Sequence, residues 1–170
     1  MYLEIKDSKK LSIKKRLRLS EYIKNNAIAW SVASIDSNEI DKINILQASF
    51  NAMHKALDNL KISPEHILVD GNLFKPYYST KCDDFITHTC VINGDNYYLS
   101  IAAASILAKV ARDEWMTNLH NQNAELQIYQ WNKNKGYATK SHREALLEHG
   151  LCKYHRKTFG ICKRIFNQSK

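Results

Sequence analysis

Two aspartates of this 170-residue chain occupy positions from which carboxylates can bind a divalent cation. Asp70 ends a short apolar run, and Asp113 lies late on a long helical stretch. A carboxylate at the end of a buried strand and another on an adjacent helix can converge on one ion, and such hard oxygen ligands suit Mg²⁺ or Mn²⁺. Two such ions about 4 Å apart would stabilise both the attacking and the leaving oxygen in phosphodiester hydrolysis.

The same two residues also have ordinary structural interpretations. Asp70 precedes Gly71, and Asp-Gly is common in turns. Asp113 follows Arg112, and an exposed helical acid paired with a neighbour would have the same sequence. The spacing alone therefore leaves the metal site and the structural roles both open.

The C-terminal part of the chain contains His142, His149, His155 and the aromatic Tyr137. No acid stands between His142 and His149 in a zincin arrangement, so the spacing does not favour zinc. His155 and the two basic residues after it are better suited to binding phosphate than to binding zinc. Tyr137 follows Gly136, which fits either an accessible aromatic ring beside a flexible backbone or simple packing.

Positive charge is concentrated at the two ends of the chain. Residues 6–18 carry seven Lys and Arg against one acid, and residues 133–170 carry ten against two, whereas residues 19–132 carry eight against thirteen. This pattern suits a polyanion held at its backbone, with the carboxylates kept for another task. Solvated helix faces would give the same composition, so charge alone does not establish nucleic-acid binding.

The composition narrows the class of protein. A hydrophobic fraction of 44% allows a packed core, and no run of about 18 apolar residues predicts a membrane-spanning helix. The first residues lack the apolar run of a secretory signal. None of the four cysteines forms a Cys-x-x-Cys pair. We therefore expect reduced thiols in a cytoplasmic protein that does not bind membranes.

Helices that alternate with strands predict an α/β fold in one domain over residues 1–170, with a basic helical region from about 133 to 170. The predicted helices run from the Ser12 cap to about Asn25, Ser37 to about Leu60, Leu99 to about Leu119, and Thr139 to just before Gly150. The first half of the third helix is small or apolar nearly all round, which predicts burial on every side. The predicted strands are Ala27–Ile35, His66–Val69 and Phe85–Ile92.

Several motifs together resemble the ribonuclease HII (type 2 ribonuclease H) family, over essentially the whole chain from Asp7 onward. The most specific is AAASILAKVARD at Ala102–Asp113, which resembles the AASILAKVxRD helix of the family. The shorter matches follow in the family's order: DSKKLS at Asp7–Ser12, IDKINILQA at Ile40–Ala48, VDGN at Val69–Asn72, KGYAT at Lys135–Thr139 and HRKTF at His155–Phe159.

The resemblance implies an endoribonuclease that cleaves the RNA strand of RNA–DNA hybrids, and cleaves at ribonucleotides embedded in duplex DNA, by two-metal-ion hydrolysis with Mn²⁺ or Mg²⁺. It implies that Asp70 and Asp113 are two of four catalytic, metal-binding carboxylates, and that Tyr137 packs against the deoxyribose at the RNA–DNA junction. The nucleic-acid-binding residues that it implies are Lys9, Lys10, Asn44, Tyr137, His155 and Arg156. We expect the protein to act as a monomer.

The resemblance also implies a ribonuclease H-like mixed sheet with flanking helices, in the order 3-2-1-4-5. In the family, the first strand bears an adjacent Asp-Glu pair and leads into a Gly-Arg-Gly loop that reads the 2′-hydroxyl. Neither Glu4 nor Asp7 matches that pair. We therefore expect a fold that lacks the first two strands, two metal ligands and that loop. The alternatives are a non-catalytic protein that binds RNA–DNA hybrids and an unfolded product with no function.

Overall fold

The computed structural model of the chain describes residues 4–5 and 8–168. Its helices are α1 Ile13–Asn26, α2 Ser37–Asp58, α3 Leu99–Gln122, α4 Trp131–Asn134, α5 Lys140–His149 and α6 Gly160–Gln168, and its strands are β1 His66–Asp70, β2 Tyr77–Ser79 and β3 Asp84–Val91. Short 3₁₀ helices cover Ser8–Lys10, Gly94–Asn96 and Ala124–Tyr129. Within these residues, no helix is both long and apolar enough to cross a membrane. Asp7, the first residue of the DSKKLS match, lies outside the described residues.

Tertiary contacts divide the chain into two compact units. Unit 1 runs to Ser34 and resumes over Phe50–Ala111, and unit 2 comprises Ile35–Ser49 and the residues from Arg112 onward. Residues of α2 and of α3 belong to both units. A single domain over residues 1–170 stays a prediction.

In unit 1, α1 begins where the sequence predicts its cap. The Ser12 hydroxyl accepts a hydrogen bond from the Lys15 amide at 3.3 Å, which satisfies one of the unpaired donors of the first turn. The helix then buries Leu19 and Ile23 against α3. The core that results contains Leu11, Leu19, Ile23, Ile106, Leu107 and Val110.

The first half of α3 is largely buried but has an exposed stripe. Its buried residues are Ile101, Ala102, Ile106, Leu107 and Val110. Ala104 and Ala108 are exposed, so the prediction of burial on every side is wrong. The physical reason is that alanine favours helix wherever it lies, and its small side chain does not require a packing partner.

The sheet of unit 1 has the order β1-β3-β2, with β1 parallel and β2 antiparallel to β3. In β1, buried Ile67 and Val69 alternate with exposed His66 and Asp70, which is the period of two expected for a strand. The buried face packs with Tyr77 and with residues that include Leu57 and Phe74. The two strands predicted from His66 and Phe85 are confirmed, and the mixed sheet with flanking helices confirms the α/β class. Strand β2, only three residues long, was not predicted.

The predicted strand Ala27–Ile35 is wrong. This segment forms no helix or strand, and its alternating residues Ile28, Trp30 and Val32 are exposed, with Ile28 at 91%. A strand is defined by the neighbour that its backbone pairs with, and alternation along the sequence cannot supply that neighbour. The absence of two strands from the fold stays a prediction.

The predicted long helix α2 is interrupted at Asn44, whose φ of 69° and ψ of 167° are not helical. The Asn44 side-chain oxygen accepts hydrogen bonds from the amides of Leu46 (3.0 Å) and Gln47 (3.1 Å). These are the contacts of an N-cap, so a second helical segment begins immediately after Asn44. Apolar spacing continues through the kink, which is why periodicity alone predicted one helix.

Unit 2 is built around Trp131, whose side chain is almost completely buried. The main members of its core are Met116, Leu126, Tyr129, Trp131, Ala145 and Leu146. Helix α5 confirms the predicted boundaries: Thr139 caps its first turn through the His142 amide (3.3 Å), and Gly150 ends it with a φ of 77°. That angle lies in the left-handed region that favours glycine.

Candidate functional site

Asp70 is the last residue of β1, paired in register with Val91 on the parallel strand β3. It therefore lies at the C-terminal edge of this pair of strands, as the sequence predicts. The next residue, Gly71, has a φ of 120°, and its amide donates to the Val91 carbonyl of β3 at 3.0 Å. The chain bends only after this residue pair, and the Asp70 side chain remains exposed.

The Asp70 carboxylate is oriented by the segment that follows β3. Its Oδ1 accepts a hydrogen bond from the Gly94 amide at 2.9 Å. Gly94 is buried, and a Cβ at this position would lie 2.5 Å from Cδ1 of Ile101. An added Cβ would force the Ile101 side chain of α3 to shift, so glycine suits this close approach, and the Gly94 amide holds one carboxylate oxygen.

The segment of residues 8–12, which contains Lys9 and Lys10, is anchored to helices α1 and α3 by hydrogen bonds. The buried Ser8 hydroxyl lies 2.8 Å from that of Ser105 on α3. Arg16 donates from Nη1 to the carbonyls of Ser8 (2.9 Å) and Leu11 (3.2 Å). Lys9 is exposed on this anchored turn. The backbone of Lys10 is part of the same turn.

In unit 2, Asp113 is half-buried on α3, and its backbone carbonyl accepts a hydrogen bond from the Thr117 hydroxyl at 2.8 Å. The residue before it, Arg112, is exposed and donates to the Lys135 carbonyl at 3.2 Å. The guanidinium of Arg112 lies 5.8 Å from the ring centroid of Tyr137. Arg112 thus supports the loop carrying Tyr137, a role that the sequence did not predict.

Tyr137 lies on a closely fitted loop, and the residue is 55% exposed. Lys135 and Gly136 both have positive φ, at 51° and 78°. The Gly136 amide donates to the Asn134 side chain at 2.8 Å, and a Cβ on Gly136 would lie 3.0 Å from Met116. Of the two interpretations of Tyr137, an accessible ring and simple packing, the structure therefore agrees with the accessible ring.

The basic segment after α5 is held by one carboxylate. Asp41 accepts hydrogen bonds from the Lys157 amide (2.7 Å), the Thr158 amide (3.0 Å) and the Thr158 hydroxyl (2.6 Å). Burial raises the pKa of Asp41, but these hydrogen bonds and the charge of Lys157 outweigh it and leave the pKa below its ordinary value. Asp41 therefore fixes the backbone next to Arg156.

Arg156 is half-buried, with its guanidinium 4.1 Å from the ring centroid of Phe159. Burial, followed by the nearby charge of Arg112, lowers the pKa of Arg156. A guanidinium remains protonated despite such a shift. Two cationic side chains of unit 2 therefore raise the electrostatic potential around the same surface, which favours a bound anion.

His155 is only 7% exposed, and both of its ring nitrogens are engaged inside the protein. Nε2 lies 3.2 Å from Nε2 of His142, and Nδ1 accepts from the Cys152 amide at 3.0 Å. Desolvation, followed by the neighbouring His142, lowers the pKa of His155 to about 4, although the hydrogen bond with the Cys152 backbone acts in the opposite direction. Arg156 is thus better placed than His155 to reach a phosphate.

The predicted residues fall into two groups. Unit 1 contains Asp70 with the Lys9 and Lys10 turn, and unit 2 contains Asp113, Asn44, Tyr137, His155 and Arg156. Within unit 2, His142 connects Tyr137 to His155 by hydrogen bonds. Asn44 is exposed, and its side-chain oxygen is used as a helix cap. The convergence of Asp70 and Asp113 on one ion stays a prediction.

Comparison with known proteins agrees with these features. A family model described as Ribonuclease HII matches residues 1–164. The Ribonuclease HII proteins of Parabacteroides distasonis and Bacteroides thetaiotaomicron are 54% and 53% identical to the chain, over 93% and 92% of its length and 75% and 74% of theirs. A crystal structure of the ribonuclease H2 from Pyrococcus horikoshii has a TM-score of 0.77 at 22% identity, covering 96% of this chain and 81% of that one, and so shares its fold. The chain belongs to the ribonuclease HII family of ribonuclease H hydrolases.

Proposed function

We propose that the chain is an endonuclease that cleaves the RNA strand of RNA–DNA hybrids and cleaves on the 5′ side of ribonucleotides embedded in duplex DNA. The products would carry 3′-hydroxyl and 5′-phosphate ends. The observation that carries this proposal is the match to ribonuclease HII over residues 1–164. We further propose that it acts in the cytoplasm as a monomer, and that it removes ribonucleotides left by DNA replication, since ribonucleotides embedded in duplex DNA are its proposed cleavage sites.

We propose Asp70 and Asp113 as ligands of Mg²⁺ or Mn²⁺. Carboxylate oxygens are the donors that these cations prefer, and Asp70 presents an exposed carboxylate with one oxygen fixed by a backbone amide. Such a cation, when bound, would stabilise the charge that develops on the phosphate oxygens. Over residues 4–5 and 8–168, however, no three His, Cys, Asp or Glu side chains come together as a metal site. The described residues therefore supply fewer ligands than the four carboxylates that the family resemblance implies.

We propose that the basic residues hold the substrate at its backbone. Lys9 lies on an anchored turn of unit 1. In unit 2, Arg156 lies near Arg112, which supports the loop that carries Tyr137. Contacts of this kind fix the register of a duplex without reading its sequence. The exposed ring of Tyr137 offers an apolar surface for a sugar. Binding should therefore be salt-dependent and nearly independent of sequence.

The test is cleavage of three matched labelled duplexes: all-DNA, DNA with one ribonucleotide, and an RNA–DNA hybrid. We expect cleavage of the second and third duplexes with Mn²⁺ or Mg²⁺, and none of the all-DNA duplex. Asp70→Asn should lower the rate by at least about 100-fold, because it weakens a ligand to a cation that stabilises the transition state. Asp84→Asn is the matched control, since Asp84 begins the parallel strand β3 and lies at the opposite end of the sheet.

A second function, binding of RNA–DNA hybrids without cleavage, is favoured by one observation. The described residues hold no cluster of three metal-ligating side chains, yet they include the supported Tyr137 and the cationic Arg112 and Arg156. A salt-sensitive shift of the hybrid duplex in a gel, with no product at any Mn²⁺ concentration, would support this second function over the first.

A further inference from the structure

A continuous set of hydrogen bonds crosses the core of unit 2 and ends at the loop that carries Tyr137. The Trp131 indole donates to Nε2 of His142 at 3.3 Å, and Nε2 of His155 lies 3.2 Å from the same atom. On its other side, Nδ1 of His142 lies 3.0 Å from the Tyr137 carbonyl. Both imidazoles are buried, so their polar atoms must be satisfied by hydrogen bonds within the protein.

The partners assign one tautomer to each ring. Nδ1 of His155 accepts from the Cys152 amide, so its proton must lie on Nε2, from which it donates to His142. Nε2 of His142 is an acceptor whose single lone pair is shared by the Trp131 and His155 donors, so the His142 proton lies on Nδ1, from which it donates to the Tyr137 carbonyl. The two assignments follow from different neighbours and agree with each other.

The Tyr137 carbonyl, which accepts the hydrogen bond from His142, also accepts one within its own loop. The Tyr137 carbonyl accepts from the Thr139 amide at 2.8 Å, and the Tyr137 amide donates to the Asn134 carbonyl at 2.8 Å. Because His142 is on α5 and is buried, its Nδ1–H ties this exposed loop to the rigid core. The side of the loop that faces the core is therefore fixed independently of the Tyr137 ring.

We propose that His142 is a positioning residue for Tyr137, and that His155 and Trp131 support it by holding His142 in the tautomer that donates to the Tyr137 carbonyl. The proposal rests on the proposed function, because it deepens the substrate-contacting role of Tyr137. It places no proton transfer on either histidine. Their task is to keep the Tyr137 ring at one height and angle, so that a sugar at the RNA–DNA junction packs against a preorganised surface.

The surroundings of the pair favour the neutral form that this role requires. Desolvation lowers the pKa of both His142 and His155, and each ring also faces the other. The other titratable groups beside His155 are Tyr129, whose ring centroid is 4.7 Å away, and Cys152, with its sulfur 3.1 Å from Nδ1. Burial raises the pKa of both, so neither carries charge at neutral pH.

Two isosteric variants of His142 separate positioning from packing. Asparagine places an amide N–H close to the position of Nδ1, whereas glutamine places its amide close to Nε2 and leaves the Tyr137 carbonyl without this donor. Both remove the imidazole ring and its packing. The full-length variants would be compared by hydrogen exchange of the Tyr137 and Thr139 amides, by thermal unfolding, and by kcat and KM on the duplex with one ribonucleotide.

We expect His142→Gln to speed exchange of the Tyr137 and Thr139 amides by about five- to tenfold, because this factor corresponds to the loss of one net hydrogen bond. The variant should lower kcat/KM by a similar factor. His142→Asn should stay within about twofold of the wild-type protein in both respects. The imidazole ¹⁵N shifts of the wild-type protein should report His142 protonated on Nδ1 and His155 on Nε2.

A double-mutant cycle gives the decisive readout. In a Tyr137→Ala background, His142→Gln should change kcat/KM by less than about twofold, because the group that it positions is gone. Equal effects of the two His142 variants on amide exchange, or the same loss with and without the Tyr137 ring, would overturn the proposal. If the wild-type protein cleaves no duplex, the proposed function fails, while amide exchange still decides whether His142 holds the loop.

Discussion

The buried His155 should make the stability of the protein depend on pH in a range where carboxylates contribute little. Its pKa is about 4 in the folded protein against an ordinary value of 6.5. Between these two values the unfolded chain binds more protons than the folded protein. The free energy of unfolding should therefore be highest above about pH 7, fall as the pH drops below 6.5, and finish falling near pH 4.

The size of the effect follows from the shift. Each pH unit within this range costs up to about 1.4 kcal/mol for one group, so His155 alone should remove about 2 kcal/mol between pH 8 and pH 5. His142 contributes in the same direction, because desolvation lowers its pKa as well. Tyr129 and Cys152 stay neutral across this range, since burial raises the pKa of both.

The assay is urea unfolding at half-unit steps from pH 8 to pH 5, for the wild-type protein and His155→Gln. Glutamine does not titrate, so the variant should be less stable at pH 8 and should lose about 2 kcal/mol less on acidification. Exposed His149→Gln is the control and should follow the wild-type slope. Parallel slopes for the wild-type protein and His155→Gln would refute the buried neutral pair.

Two further predictions concern residues that support the site, and a third concerns the binding of the duplex. Gly94→Ala should lower the free energy of unfolding by about 1–3 kcal/mol, because its Cβ would lie 2.5 Å from Ile101, and differential scanning calorimetry would measure the loss. Asp41→Asn should cost about 2 kcal/mol, since it replaces a charged acceptor of three hydrogen bonds, and this loss should vanish as the pH falls through the lowered pKa of Asp41. The affinity for a hybrid duplex, followed by fluorescence anisotropy, should fall linearly on a log–log plot against salt concentration; an affinity unchanged from 50 to about 200 mM salt would contradict backbone binding.

The parts of the fold that the sequence predicts are those governed by local chemistry. The Ser12 and Thr139 caps, the Gly150 stop and the alternation in β1 each depend on contacts within a few residues. The segment Ala27–Ile35 shows the limit, because its alternation is that of a strand but its backbone pairs with no strand among the described residues. The Asn44 kink was missed because a capping residue and an interior residue can share one apolar period.

The candidate site shows the same division. Asp70 could be placed at a strand end because burial and the Asp-Gly pair are local signals. The role of His142 could not, because it depends on Trp131, His155 and the Tyr137 carbonyl, which only the folded chain brings to one ring. A buried histidine and an exposed one look alike in a sequence.

Metal binding by Asp113 is tested most directly by the rate of ribonucleotide cleavage against Mn²⁺ concentration, measured for the wild-type chain, Asp113→Asn and the Asp84→Asn control. The wild-type chain and the control should saturate together. Asp113→Asn should need at least about tenfold more Mn²⁺ and reach a lower maximal rate, as expected when a ligand oxygen is lost. Superimposable curves for Asp113→Asn and the wild-type chain would show that Asp113 binds no catalytic metal ion.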